Sequence, residues 1–165
     1  MQKVNFNGMT FEVAGKLPEV GERAKDFTLV AKDLSEIKLE DFKGKRVVLN
    51  IFPSLDTDVC AASVRRFNKE VSELPNTVVV CASMDLPFAA ARFCTVNDIE
   101  NVMTGSGFRS DFGDEYGVRL KTGPLADLYA RALVIIDEEG KVIGSQLVEE
   151  ITNEPDYELA KKLLK

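Results

Sequence analysis

Cys60 stands three residues after Thr57 in the stretch FPSLDTDVCAASVRRF (52–67), where an apolar run ends in a turn and a helical pattern begins. Thr57 is a candidate helix N-cap, which makes Asp58 the first helical residue and Cys60 the third. A sulfur there faces unpaired backbone amides and the positive end of the helix dipole, and both favour its ionised form. The thiolate is the nucleophile, so the position suits attack on an electrophile. It equally suits a small, inert, buried side chain, and spacing alone leaves both readings open. Ala61-Ala62-Ser63 follows Cys60, so the CxxC pair of a thiol–disulfide oxidoreductase is missing.

The chain has three cysteines and no histidine. That removes the usual general base, the Cys–His pair and the commonest zinc ligand. Cys60, Cys81 and Cys94 lie too far apart for the usual zinc spacings. No metal or other cofactor is expected, and a reactive thiol must be activated by backbone dipoles or by a cation. Arg131 is the candidate cation, an always-charged guanidinium flanked by Ala130 and Ala132 where RALVIID (131–137) begins. A solvated arginine at a strand end fits the same residues. Cys81, inside VVVCASMD (78–85), reads as a core residue of a buried strand without a redox role.

These side chains need a scaffold. At 165 residues, 45% hydrophobic and 29% charged, the chain is expected to form one globular domain spanning 1–165. A net charge of −6 argues against nucleic-acid or anionic-membrane partners. The N-terminus has no apolar secretory region and no run is long enough to span a bilayer, so the cytoplasm is the expected location.

VNFNGMTFEV reads as a hairpin turning at Asn7-Gly8. Short strands are expected at 27–31 and 36–39, then a helical turn at 40–44. RVVLNIF (46–52) is the near-continuous apolar run of a strand buried on both faces. One helix follows Thr57, with Val59, Val64, Phe67, Val71 and Leu74 on its apolar side, and Pro75-Asn76 stops it. TVVVCA (77–82) completes a right-handed βαβ unit with parallel strands. A short helix at 87–94, a brief strand at 102–104 and a helical turn at 111–116 come next. A second hairpin, RALVIID-EEG-KVIGSQLV, precedes a last helix beginning at Pro155. This succession, βαβ then ββα, is the thioredoxin-fold pattern, here an α/β chain with an N-terminal hairpin extension.

The string PSLDTDVC, Pro53 to Cys60, resembles the peroxiredoxin active-site motif of proline, then Thr or Ser, then cysteine three residues on. FPSLDT, DLPFAAARFC, RALVIIDEEGKV and SQLVEEITNEPDYE are similar to the atypical two-cysteine thiol peroxidase branch of that superfamily, over nearly the whole chain. The resemblance implies an enzyme that reduces hydrogen peroxide and organic hydroperoxides. In it Cys60 is the peroxidatic thiolate, Thr57 holds thiolate and peroxide, Pro53 shields the sulfur and Arg131 hydrogen-bonds sulfur and peroxide oxygens. Cys94 is the resolving cysteine, which forms an intramolecular disulfide with Cys60 after local unwinding. The resemblance further implies thioredoxin as reductant and a homodimer. Phe52, Phe88 and Phe93 are expected as apolar neighbours favouring bulky hydroperoxides.

One position departs from the family pattern, which has proline where this chain has Asp58. Aspartate suits a first helical turn but opposes negative charge on the nearby sulfur. The alternative to an enzyme is a redox sensor or binding module on the same fold, in which a Cys60–Cys94 switch signals once instead of turning over.

Overall fold

The structure, a computed structural model, describes residues 2–165. Its strands are β1 (Gln2–Phe6), β2 (Met9–Val13), β3 (Thr28–Ala31), β4 (Glu36–Lys38), β5 (Arg46–Ile51), β6 (Thr77–Ser83), β7 (Met103–Ser106), β8 (Ala132–Ile136) and β9 (Val142–Leu147). The helices are α1 (Asp58–Arg66), α2 (Pro87–Val96), α3 (Phe112–Glu115) and α4 (Tyr157–Leu163), with a 3-10 turn at Leu39–Phe42. The succession β5–α1–β6, then β8–β9–α4, follows the order read from the sequence; α2, β7 and α3 lie between the two halves.

Seven strands form one sheet in the order β4-β3-β7-β6-β5-β8-β9. The centre is parallel, β5 beside β6 and β6 beside β7, while β8 runs antiparallel to β5. Both faces of β5 are covered, which is why its sequence is almost uniformly apolar. Val47, Leu49 and Ile51 pack with Leu29, Phe112 and Val134 on one side. Val48 and Phe52 pack with Val64, Phe67 and Leu133 on the other, beneath α1, α2 and α4. Asn50 alone interrupts this alternation, and it is fully buried.

The β1–β2 hairpin stands apart as a two-stranded sheet. It turns where expected, with Asn7 and Gly8 at φ 48° and 86°, the positive angles a two-residue turn of this type requires. Its edge is tied to the segment before α4: Asn5 N–H donates to Glu149 O at 2.7 Å, and Ile151 N–H donates to Asn5 O at 2.9 Å.

The helix after Thr57 differs from the single regular helix expected. Beyond Arg66 it widens into a π turn over Phe67–Val71, where Ser72 N–H donates to Phe67 O at 3.0 Å. The wider turn keeps both Phe67 and Val71 completely buried. Helix α4 packs across this turn. The Phe67 and Tyr157 rings lie 5.2 Å apart and the Arg66 guanidinium sits 4.0 Å over the Tyr157 ring. Glu70 accepts from both Arg66 and Lys161, which fastens α1 to α4. Among the described residues, no helix is long and apolar enough to cross a membrane.

Candidate active site

Register places the two key side chains together. Ile51 at the end of β5 pairs with Ala132 at the start of β8, so Arg131 lies beside the turn that leads into α1. Arg131 Nη2 donates to Cys60 Sγ at 3.1 Å. The guanidinium is 1% exposed, which excludes the solvated strand-end arginine. Its Nε donates to the Ile151 carbonyl at 2.8 Å, while Nη1 is buried without a hydrogen-bond partner. None of the ion pairs among the described residues includes Arg131. A buried cation without a carboxylate is costly unless an anion lies nearby, and the Cys60 sulfur, itself fully buried, is the atom placed to supply that charge.

Thr57 occupies the N-cap position with extended backbone, φ −101° and ψ 146°, as expected. The capping hydrogen bond is not made. Thr57 Oγ1 donates instead to the Ser54 carbonyl at 3.0 Å, so the first-turn amides keep no side-chain acceptor from it. Pro53 is buried. Asp58 is exposed, where water screens its charge from the sulfur. The loop between β5 and α1 is pinned from below by Asp85, a residue sequence reasoning passed over. Its carboxylate accepts from Ser54 Oγ at 2.8 Å, Leu55 N at 2.7 Å and Ser83 Oγ at 2.6 Å.

A cavity of about 310 Å³ lies beside this site, with Cys60 itself fully buried and outside its lining. Pro53, Thr57, Val59 and Arg131 line it on the cysteine side; Phe6, Leu125, Leu128 and Ile151 give it apolar walls. None of the three phenylalanines expected here lines the cavity. Phe88 is 70% exposed on α2, Phe52 is fully buried in the same apolar layer as Cys60, and Phe93 lines a separate depression beside Asp56 and Val96. Phe88 points to solvent because α2 turns its Ala90–Cys94 stripe into the core, and Phe93, half-buried, packs against the edge of that core without reaching the cavity. The walls come from the hairpin, the segment before β8 and the segment before α4, all distant in sequence from Cys60.

All three cysteines are free and buried. Cys94 lies in the last turns of α2 and joins the same apolar layer as Cys60 and Cys81. Burial pushes the Cys81 thiol up to about 12, which makes it a poor nucleophile at neutral pH.

A buried thiol and guanidinium at the start of α1, on a sheet of βαβ–ββα order, define a thioredoxin-like α/β protein of the peroxiredoxin type with an added N-terminal hairpin. The chain belongs to the Redoxin family, whose model matches residues 19–161. A protein of Corynebacterium glutamicum called thiol peroxidase is 50% identical over 160 residues, covering 97% of each chain. A crystal structure of a peroxiredoxin-like protein from Aquifex aeolicus superposes with a TM-score of 0.93 at 41% identity, covering 99% of this chain and 96% of that one. A thiol peroxidase from Chromobacterium violaceum, 24% identical and covering 98% and 94% of the two chains, shares the fold with a TM-score of 0.88.

Proposed function

We propose that this protein is a thiol peroxidase in which Cys60 is the peroxidatic residue and Cys94 the resolving one. The observation that carries this reading is the 3.1 Å hydrogen bond from a buried, carboxylate-free guanidinium to Cys60 Sγ. The Cys60 thiolate attacks the terminal oxygen of a hydroperoxide. The S–O bond forms as the O–O bond breaks, and the departing oxygen takes a proton to leave as water or an alcohol. Arg131 supports the charge that passes from sulfur to the leaving oxygen, with Nη1 as the donor still free to make that bond. Thr57 has committed its hydroxyl hydrogen to Ser54, so its oxygen can accept the peroxide O–H. Pro53 shields the sulfur from water.

The sulfenic acid on Cys60 is then attacked by Cys94, giving a disulfide and water. An external dithiol protein of the thioredoxin type reduces that disulfide by thiol exchange. Residues 1–165 work as one peroxidase domain, as a homodimer, in the reducing cytoplasm. The apolar walls of the cavity suit organic hydroperoxides alongside hydrogen peroxide. A redox sensor would oxidise once, whereas this cycle repeats. Sustained NADPH oxidation with thioredoxin, thioredoxin reductase and peroxide is the expected result; consumption that stops after one equivalent would leave only the sensor.

Asp85 enters this cycle through the loop it holds. Asp85→Ala is expected to lower the rate of the peroxide reaction by roughly ten-fold, because a loosened Pro53–Thr57 turn no longer fixes the attack geometry. Competition kinetics against a reporter of peroxide measures it, and Asp85→Asn should recover part of the loss. Equal rates in all three proteins would remove Asp85 from the positioning of the site.

A further inference from the structure

In the proposed cycle, on which this inference rests, Cys60 must leave the first turn of α1 before it can bond Cys94. A buried polar pair opposes that departure. Ser63 is fully buried, and its Oγ donates to the carbonyl oxygen of Cys60 itself at 2.7 Å. Asn50 donates from Nδ2 to Ser63 Oγ at 3.1 Å. In the sheet Asn50 is flanked by Cys81 and Leu133, and its Oδ1 has no partner. Asn50 Nδ2 also donates to Cys81 Sγ at 3.7 Å, and the pair is otherwise set in an apolar layer. The Ser63 hydrogen bonds hold only while residues 60–63 keep helical geometry. Unwinding removes the Cys60 carbonyl and leaves a buried hydroxyl without its acceptor, which is the expensive way to lose a hydrogen bond.

We infer that Asn50 and Ser63 form a clip that holds Cys60 in its attacking position and sets how fast the oxidised sulfur is released to Cys94. They are positioning residues, since neither hydrogen-bonds the Cys60 sulfur. The step they govern is balanced within the chain. The Cys94 sulfur attacks the Cys60 sulfur, an S–S bond forms, the S–O bond breaks, and the hydroxide leaves with the Cys94 proton as water. While the clip holds, the sulfenic acid persists and can meet a second peroxide, which carries it to sulfinic acid.

Ser63→Ala removes the hydroxyl with little change of volume. After one equivalent of hydrogen peroxide, its sulfenic acid is expected to become the Cys60–Cys94 disulfide about ten-fold faster than in the wild type. Rapid quenching with dimedone, followed by mass spectrometry, reads the lifetime directly. Ser63→Thr, which restores a hydroxyl, should lengthen it again, and less sulfinic acid should form in Ser63→Ala at high peroxide. Asn50→Leu removes the other end of the clip and should shorten the lifetime too, so either variant that folds decides the matter. Leu29→Ala, on the opposite face of the sheet, serves as a destabilised control. A lifetime unchanged in the clip variants, or shortened equally in the control, overturns the clip. Absence of any Cys60–Cys94 bond in the wild type would instead overturn the cycle on which it rests.

Discussion

Replacing Arg131 by methionine is expected to slow the reaction of Cys60 with hydrogen peroxide by about 10²–10³-fold, the loss of about 3–4 kcal/mol of charge stabilisation in the transition state. Methionine keeps much of the buried length and removes the charge and all the donors. Two of those donors are engaged, with the Ile151 carbonyl and the Cys60 sulfur, and the third nitrogen is buried and unpartnered. That is an unusual state for a guanidinium in a protein interior. A substrate oxygen is the partner that would complete it. Arg131→Lys should recover only a small part, because an ammonium cannot serve carbonyl, sulfur and substrate from one planar group. Stopped-flow competition measures all three proteins, with thermal unfolding confirming that each is folded. A loss below about three-fold would mean that Arg131 holds the fold together and leaves the chemistry to others.

Cys94→Ser is expected to consume about one equivalent of peroxide per chain and then to stall, with steady turnover on a thioredoxin system reduced by about 100-fold or more. The first step needs only Cys60, whereas the reductant acts on a disulfide that can no longer form. Mass spectrometry of the wild type should find a Cys60–Cys94 bond, and of the variant an oxidised Cys60 alone. Cys81 is poorly placed to substitute, since burial pushes its thiol up to about 12. Undiminished turnover in Cys94→Ser would transfer the resolving role to a thiol outside this chain.

The elements that carry the site were legible because each has a strong local signal. Asn7-Gly8 can adopt positive φ without strain, RVVLNI is apolar enough for a doubly covered strand, and Thr57 precedes a clear helical stripe. The placement of Cys60 in the first turn follows from these. Arg131 was ambiguous from its neighbours alone, since burial of a cation depends on the sheet register that joins Ile51 to Ala132 far along the chain. What stayed hidden was everything built across the fold. Asp85 supports a loop thirty residues earlier, and the cavity walls arise from Phe6, Leu125 and Leu128, none of which carries a motif. Phe88 was attractive as an aromatic near a cysteine helix, yet periodicity of only 0.5 turns separates a core position from a solvent one. Asn50 did leave a trace, a single polar residue inside an apolar run.

The detached hairpin has a practical bearing on how the protein is handled. Asn5 grips the backbone on either side of Glu150, and the next carbonyl along, that of Ile151, steadies the guanidinium. Strain applied to the β1–β2 hairpin therefore has a short mechanical route to the Cys60 sulfur. Linkers attached to that hairpin are expected to disturb the geometry around Cys60.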